Sequence, residues 1–313
     1  MNAPRMALIG AGATGSVLAA ALLSNYPETV VVGRKPHTGE MLGNEGFRIS
    51  GALTYRITVK NYVTRIAALK DFHPTLIFLA TKTFHLDNVL PELKQVCEAE
   101  TKIIATQNGL GVEDFLSNNL GRTDVFRLSL NFGAAAKSPG QVKVAFFNAP
   151  NHLGGFKQEN RELGFQIAQM LTDCGLDTDY VDDIKLFVWK KMVMKCTMAS
   201  ICAVTNKSIK EALEFAPTKE IADACFREAL AVARAAGYDI GEDYIEQAVN
   251  YLMTAGVHRD SMCYDIESKK PTEIDYLGAK IVEYGREHRI PTPFYVTMTN
   301  LVKAIEDGYL EKR

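Results

Sequence analysis

The fold of this chain is decided by the stretch Ile9-Gly10-Ala11-Gly12-Ala13-Thr14-Gly15. The stretch follows a short apolar run, residues 6–9, which has the composition of a buried β-strand. It leads directly into residues 16–23, which have the pattern of a helix. A strand, a glycine-rich turn and a helix in this order are the context that a G-x-G-x-x-G motif requires. We therefore predict that an open α/β sheet begins with the first strand.

The glycines of this motif predict close contacts with a dinucleotide and with neighbouring backbone. Gly10 permits a tight turn, Gly12 has no side chain to keep a pyrophosphate from the backbone, and Gly15 lets the helix pack against the strand. Exposed N–H groups and the positive end of the helix dipole would then face the phosphates. The candidate cofactor-binding loop comprises Gly10, Ala11, Gly12, Ala13, Thr14 and Gly15.

The turn after the second predicted strand indicates which dinucleotide binds. That strand, residues 29–32, ends in Gly33-Arg34-Lys35, where an NAD-preferring site would usually carry Asp or Glu for the ribose 2′-hydroxyl. A small residue followed by two cations suits a 2′-phosphate instead. We therefore expect NADP(H), with Arg34 the first candidate for the phosphate contact and Lys35 the second. The alternative interpretation is a solvated basic turn in an NAD- or FAD-binding domain.

Composition limits the classes of function that the chain can have. Its 313 residues are enough for two domains, and its formal net charge of −2 gives no electrostatic footprint for nucleic acid. No apolar run reaches membrane-spanning length, and no signal-peptide pattern precedes the first strand. Neither the six cysteines nor the six histidines follow a metal-binding spacing. We expect a cytoplasmic protein with free, buried cysteines and without a metal, a membrane or a nucleic-acid partner.

Strand and helix patterns divide the chain into two predicted domains. Residues 1–182 alternate between the two patterns, which is typical of a Rossmann-type NADP-binding domain with an open α/β sheet. Residues 142–147 and 153–156 have strand patterns near Pro139-Gly140 and are expected to add antiparallel strands to that sheet. Residues 183–313 show helical patterns only, so we predict an all-helical C-terminal domain that binds substrate. The predicted helices of this domain are residues 184–204, 218–236, 243–254, 272–287 and 293–309.

Polar residues follow two of the buried strands at the edge where Rossmann-type sheets bind ligands. Thr81 and Lys82 come after the strand at residues 76–80, and Asn108 follows the strand at residues 102–106. A lysine there can bind a phosphate, a ribose or a carboxylate, and an asparagine offers a donor and an acceptor beside a nicotinamide. The alternative is ordinary turn chemistry, because Asn-Gly is a favoured turn pair and Lys82 could be a solvated cation.

Two lysines share one face of a largely apolar predicted helix. Lys191 and Lys195 are four residues apart, and like charges at that spacing destabilise a helix by roughly 0.2–0.5 kcal/mol. An anion between them, such as a substrate carboxylate, would explain the pair. The alternative is a solvated stripe on an amphipathic helix.

The last candidates lie in two short segments, residues 261–265 and 271–276. Ser261 opens the first of them. In the second, Pro271-Thr272-Glu273 is typical of a helix start, where Glu273 would interact favourably with the helix dipole. Alternatively, Glu273 accepts hydrogen bonds from hydroxyl groups of a substrate or a ribose.

Together these motifs resemble the ketopantoate reductase (2-dehydropantoate 2-reductase) family over nearly the whole chain. The glycine motif is common to many families, whereas the motifs of the helical part are far more specific. In order along the chain, the matching landmarks are Gly10-x-Gly12-x-x-Gly15, Arg34, Thr81-Lys82, Asn108-Gly109, Pro139-Gly140-x-Val142, Trp189-x-Lys191, Ser261-x-x-x-Asp265 and Thr272-Glu273-Ile274-Asp275-Tyr276.

The resemblance implies NADPH-dependent reduction of ketopantoate to (R)-pantoate, a step of pantothenate and coenzyme A biosynthesis. It implies that Lys191 is the general acid that protonates the ketone oxygen. It also implies that Glu273 binds substrate or cofactor hydroxyls and helps to orient that lysine. By the same resemblance Asn108 lies beside the nicotinamide and the substrate. Lys82 would contact the cofactor, and Ser261 would meet the substrate carboxylate.

The chain departs from the family pattern at two positions of the lysine helix. The family usually has asparagines four and eight residues after the lysine, where this chain has Lys195 and Ala199. The first change adds a charge, and the second removes a polar group from the expected substrate pocket. Two substrates therefore stay open. One is ketopantoate with its carboxylate bound by Lys195; the other is a branched or aromatic 2-oxo acid reduced by an NADP-dependent D-2-hydroxy acid dehydrogenase.

A third hypothesis is a non-catalytic NADP(H)-binding regulatory protein. It predicts a degraded catalytic set, whereas Lys191 and Glu273 are both present. The expected partner is a small-molecule 2-oxo acid. The helical domain could also offer a face for a homodimer.

Overall fold

The chain divides into two compact units, seen in a computed structural model that describes residues 4–122, 124–254 and 259–310. The first unit comprises Met1–Gln107 and Gly111–Ile184, and the second comprises Lys185–Arg313 and Asn108–Leu110. The short segment that carries Asn108 thus belongs to the second unit, although it directly follows residues of the first.

Two sheets organise the first unit. Its strands are β1 (Met6–Ile9), β2 (Val30–Val32), β3 (Phe47–Gly51), β4 (Tyr55–Ile57), β5 (Asn61–Val63), β6 (Leu76–Leu79), β7 (Lys102–Ala105), β8 (Val125–Ser129), β9 (Phe132–Ser138), β10 (Gln141–Phe147), β11 (Asn151–Gly155) and β12 (Thr178–Tyr180). The main sheet has the order β12-β11-β8-β7-β6-β1-β2-β5. From β8 to β5 all neighbours are parallel, and β11 joins β8 in the antiparallel sense. The predicted Rossmann-type α/β fold is confirmed.

The second sheet has four strands in the order β4-β3-β10-β9. Strands β9 and β10 pair antiparallel across the turn at Gly140, although the sequence patterns predicted only the second of these two strands. However, β10 then pairs in parallel with β3, so it does not extend the main sheet; of the two strands expected to do so, only β11 does. The expectation for residues 142–147 was therefore wrong in the choice of sheet.

Helices cover both faces of the main sheet. They are α1 (Ala13–Asn25), α2 (Pro36–Asn44), α3 (Leu86–Val96), α4 (Val112–Leu120) and α5 (Arg161–Asp173), with short 3-10 helices at Ile66–Phe72, Thr83–His85 and Gln158–Asn160. Because side chains alternate along a strand, Met6 and Leu8 join the hydrophobic cluster on one face, and Ala7 and Ile9 join the cluster on the other. A sheet buried on both faces needs continuous apolar strands, which explains why these strands were predictable.

The described residues of the second unit contain helices and no strand. The helices are α6 (Ile184–Thr205), α7 (Ile209–Glu214), α8 (Ala216–Ala235), α9 (Tyr244–Thr254), α10 (Ser261–Glu267), α11 (Gly278–Glu287) and α12 (Pro293–Asp307), with a 3-10 helix at Ile274–Tyr276. The predicted all-helical C-terminal part is thus confirmed. Trp189 of α6 is 3% exposed and packs between the rings of Tyr238 and Tyr284, with centroids 5.7 and 5.2 Å away. These contacts fix α6 within the unit.

The state of the cysteines and the hydropathy of the helices can be compared with what the composition of the chain predicted. All six cysteines are free; five are buried, and Cys97 is half-buried. Burial raises the pKa of Cys174 to about 11 and that of Cys225 to about 12, so both stay neutral thiols near pH 7. The prediction of free, buried cysteines is confirmed for all but Cys97. In the part of the chain that the structure describes, no helix is long and apolar enough to cross a membrane.

Candidate active site

Backbone contacts fix the glycine-rich loop of the first unit. Gly10 has φ +105°, and its N–H donates to the carbonyl of Val32 at 3.0 Å. A Cβ on Gly10 would lie 2.8 Å from the backbone nitrogen of Thr81, and a Cβ on Gly15 would lie 1.7 Å from the carbonyl oxygen of Gly10. A side chain on Gly10 would therefore clash with the loop after β6, and a side chain on Gly15 would push the first helix away from the glycine-rich turn.

Gly12 differs from its two neighbours in the motif because it faces open space. Apart from its chain neighbours and the backbone of its own helix, no atom of the described residues lies within 4 Å of the position that a Cβ would take. Gly12 is the N-cap residue of α1, and the first turn of that helix has no acidic side chain. The loop therefore offers backbone donors and a helix N-terminus to which a phosphate can approach closely. These features fit the pyrophosphate of a dinucleotide.

The basic turn lies between β2 and α2. The N–H of Gly33 donates to the carbonyl of Val63 at 3.0 Å, and the hydroxyl of Tyr62 donates to the carbonyl of Lys35 at 3.1 Å. The backbone of the turn is thus held, while the side chains of Arg34 and Lys35 are exposed. Both cations are placed where a phosphate from solvent could reach them.

Lys82 lies in the loop after β6, one residue beyond the Thr81 backbone that contacts Gly10. It is half-buried and precedes the short 3-10 helix Thr83–His85. The loop that carries Lys82 therefore touches the glycine-rich loop directly. Gln107, which the sequence interpretation did not single out as a site residue, is 5% exposed, and its side-chain nitrogen lies 3.5 Å from the hydroxyl oxygen of Thr81.

In the second unit, three segments meet at Gly109. The N–H of Gly109 donates to the sulfur of Met192 at 3.2 Å, and Met192 is the residue after Lys191 on α6. On its other side, a Cβ on Gly109 would lie 2.8 Å from the carbonyl oxygen of Tyr276. Because Gly109 has φ +119°, both its conformation and its surroundings require glycine. The residues adjoining these contacts are Asn108, Lys191 and the segment that begins at Glu273.

Glu273 is 8% exposed and lies outside the long helix. It precedes the 3-10 helix Ile274–Tyr276, and its carbonyl accepts the N–H of Tyr276 at 2.9 Å. The α-helix itself begins at Gly278. The expected helix start at Thr272 is therefore wrong, and with it the interpretation of Glu273 as a first-turn carboxylate of that helix. A buried carboxylate in a tight turn is placed to accept hydrogen bonds instead.

Lys195 has a counterion that the sequence interpretation missed. Its Nζ lies 2.6 Å from Oδ2 of Asp260 and donates to Oγ of Ser261 at 2.9 Å. The side chain of Lys195 is 18% exposed and that of Asp260 is 6% exposed, so the pair is largely removed from water. Asp260 also accepts the N–H of Met262 at 2.9 Å and thereby caps α10. Two of the residues expected to bind substrate, Lys195 and Ser261, are thus in direct contact.

The cysteines beside this pair do not add charge to it. Burial raises the pKa of the Cys196 thiol and of the Cys263 thiol, and both therefore stay neutral. The neighbouring Arg259 has its own partner, Glu267, at 2.7 Å. Lys195 and Asp260 are the charged side chains that contact Ser261 in the described hydrogen bonds. Among the described residues, no group of three or more His, Cys, Asp or Glu side chains could hold a metal ion.

A doubly wound sheet with a glycine-rich first turn, followed by a helical unit, defines a two-domain dinucleotide-binding protein. Comparison with known families narrows this class. The model described as ketopantoate reductase PanE/ApbA matches residues 6–158, and the model of the ketopantoate reductase PanE/ApbA C terminal matches residues 183–306. The chain belongs to the ketopantoate reductase family.

Individual relatives agree with this assignment. A 2-dehydropantoate 2-reductase of Pyrococcus horikoshii is 29% identical over 303 residues, which cover 96% of each chain. Among solved structures, D-mandelate dehydrogenase with NADH and anilino(oxo)acetate has a TM-score of 0.88 at 23% identity, covering 97% of this chain and 99% of that one. The 2-dehydropantoate 2-reductase of Geobacter metallireducens GS-15 has a TM-score of 0.87 at 22% identity, covering 96% and 99%. At these identities the two structures support the fold.

Proposed function

We propose that this chain is an NADPH-dependent 2-oxo acid reductase that converts ketopantoate to (R)-pantoate in pantothenate biosynthesis. The observation that carries the proposal is the meeting at Gly109 of the Asn108 loop, the α6 segment next to Lys191 and the turn that follows Glu273. These contacts support a site in which Lys191 is the proton donor, Glu273 the carboxylate and Asn108 the amide. Membership of the ketopantoate reductase family supports the same conclusion.

In the proposed reaction, Lys191 donates a proton to the ketone oxygen of the substrate. A bound nicotinamide supplies the hydride that the ketone carbon accepts. The ammonium group of Lys191 would stabilise the negative charge that develops on the oxygen before the proton is transferred. Glu273 would accept hydrogen bonds from substrate or cofactor hydroxyls and keep the lysine oriented, and Asn108 would bind beside the nicotinamide. Ser261 and Lys195 would hold the substrate carboxylate.

The first unit would bind the cofactor, and the second would bind the substrate, in line with the division proposed at residues 182 and 183. The open face at Gly12 supports pyrophosphate binding, and the exposed Arg34 and Lys35 support a 2′-phosphate and hence NADP(H). Lys82 would contact the cofactor from the neighbouring loop. A homodimer remains a prediction.

A second candidate is an NADP-dependent D-2-hydroxy acid dehydrogenase that acts on another branched or aromatic 2-oxo acid. Ala199 favours it, since this residue is apolar where the family pattern has an asparagine. A pocket without a polar partner for the distal hydroxyl of ketopantoate would discriminate poorly in favour of that substrate.

Loss of NADPH absorbance with three 2-oxo acids tests the proposal. The substrates are ketopantoate, 2-oxoisovalerate (branched, without the distal hydroxyl) and benzoylformate (aromatic). We expect turnover with a preference for ketopantoate. A strong preference for either of the other two substrates would instead support the D-2-hydroxy acid dehydrogenase. NADPH binding without turnover on any of the three would contradict both enzymes and favour the regulatory hypothesis.

A further inference from the structure

The pair formed by Lys195 and Asp260 is unusual in where it lies. The segment of α6 around it is mostly buried, and both side chains are mainly shielded from water. The Asp260 carboxylate is 6% exposed and lies 2.6 Å from the Lys195 ammonium, so the two form a largely buried ion pair. Removal of either partner would leave the other charge buried without compensation. The pair is therefore fixed, and each member determines the position of the other.

Asp260 uses both of its carboxylate oxygens in this arrangement. Oδ2 pairs with Lys195, whereas Oδ1 accepts the N–H of Met262 at 2.9 Å and the O–H of Ser261 at 3.5 Å. Lys195 in turn donates to Ser261. The ammonium of Lys195 is thus tied to the start of α10 by two bonds, one to Asp260 and one to Ser261. Lysine has a flexible side chain with three N–H donors, and these bonds give two of the donors a set direction.

The N–H of Lys195 and the O–H of Ser261 together suit a ligand that carries one carboxylate. Ser261 is exposed and receives a hydrogen bond from Lys195, and its O–H donates to Oδ1 of Asp260 over 3.5 Å. A bond of that length is weak, so a ligand carboxylate can take the O–H instead. Lys195 is 18% exposed on the side chain and carries the positive charge. Asp260 pairs with that charge at 2.6 Å, and Arg259, the residue before Asp260, pairs with Glu267 at 2.7 Å. A ligand with one carboxylate would meet the two donors, whereas a second carboxylate nearby would face Asp260.

Resting on the proposed function, we propose that Asp260 is a specificity-determining positioning residue. It holds Lys195 and Ser261 as a charge-balanced clamp that accepts 2-oxo acids with one carboxylate and disfavours those with two. Asp260 acts through Lys195 and Ser261 and through the charge that it brings to the cluster. Substitution of Asp260 and substitution of Lys195 should consequently change selectivity in opposite directions.

Binding of two unreactive analogues tests this independently of turnover. Oxamate carries one carboxylate and N-oxalylglycine carries two; each is titrated calorimetrically into the NADP⁺-saturated protein. We expect the wild type to prefer oxamate. In Asp260→Asn the ratio of N-oxalylglycine affinity to oxamate affinity should rise about tenfold, because the negative charge that would repel the second carboxylate is removed. In Lys195→Asn both affinities should fall, and the ratio should fall as well.

Matched variants separate this role from a structural one. Asparagine is a good N-cap residue, so Asp260→Asn keeps the cap of α10 while it removes the charge. Glu283→Gln removes one charge and one exposed ion pair, with Lys280 on α11, and should leave the ratio within about twofold of wild type. An unchanged ratio in Asp260→Asn, or an equal rise in Glu283→Gln, would overturn the inference. Should Asp260→Asn fail to fold, a ratio in Lys195→Asn that is unchanged or raised overturns it. Absence of turnover in the wild type would refute the proposed function but not the clamp, which the analogues test alone.

Discussion

Arg34 and Lys35 extend from one turn whose backbone is fixed by Tyr62 and Val63. Both side chains are exposed, so position alone does not distinguish them. An arginine binds a phosphate with two parallel hydrogen bonds, whereas a lysine acts as a point charge. Arg34 is for that reason the stronger candidate for the 2′-phosphate.

Replacement of Arg34 by glutamine should weaken NADPH binding about tenfold to a hundredfold, as expected for the loss of hydrogen bonds to a charged group. Binding of NADH, which lacks the 2′-phosphate, should change little. Fluorescence titration with both cofactors measures the two affinities, and Lys35→Gln is the matched control. A larger loss of NADPH affinity in Lys35→Gln would assign the phosphate to Lys35. Equal losses for NADPH and NADH in Arg34→Gln would refute the phosphate contact.

For single residues, the sequence indicated which side chains needed a partner, but it did not always identify that partner. Two lysines on an apolar helix predicted a nearby anion such as a substrate carboxylate. For Lys195, the structure shows a carboxylate of the protein itself, that of Asp260. The two residues are 65 positions apart, and no local periodicity relates such positions. The available signal was chemical: a cation on a buried helix face needs a counterion, and an aspartate before Ser261 is typical of an N-cap.

Among the elements, the loop after β7 has the most demanding position. Gly109 donates to Met192 of α6 and lies against the carbonyl of Tyr276 in the turn before α11. Three elements of the second unit are therefore positioned by a residue that has no side chain. Any displacement of this loop would move Asn108 relative to Lys191.

Gly109→Ala should lower kcat by about a hundredfold, since a misplacement of roughly 1 Å at a catalytic group can cost that much. The added methyl group would lie 2.8 Å from a backbone oxygen, so the backbone itself must shift. Gly237→Ala is the control: Gly237 also has a positive φ, +93°, but among the described residues beyond its chain neighbours no atom lies within 4 Å of its Cβ position. Steady-state kinetics and thermal unfolding of both variants measure the difference. If the two variants lose activity equally, the close contact at Gly109 does not position the site.

Long apolar elements were predictable, whereas elements set by tertiary contacts were not. The central strands and α6 follow from continuous apolar runs and helical periodicity. The helix expected from residue 272 starts instead at Gly278, because residues 273–277 form a tight turn whose Tyr276 carbonyl contacts Gly109. Likewise, β10 pairs with β3, and the paired residues Gln141 and Arg48 are far apart in sequence. Such pairings depend on packing rather than on local pattern.

At the scale of the whole molecule, the glycine motif and the alternation of strands and helices were enough to predict a Rossmann-type unit followed by a helical one. The exception is Asn108–Leu110, which follows a strand of the first unit yet belongs to the second. Composition could not reveal this, because the segment has the sequence of an ordinary Asn-Gly turn. The assignment matters for function, since it places Asn108 in the same compact unit as Lys191 and Glu273.

The most direct test of acid-assisted reduction is the rate of hydride transfer in a Lys191→Ala variant. This rate is measured in a single turnover with NADPH and the best 2-oxo acid substrate. We predict a fall of about a hundredfold to ten-thousandfold, the range that a general acid contributes, with NADPH affinity unchanged within about twofold. Lys190→Ala is the control, because this neighbouring lysine lies over the ring of Phe187 at 5.9 Å and is assigned no catalytic role. A hydride-transfer rate in Lys191→Ala close to that of the wild type would contradict the assignment of Lys191 as the proton donor.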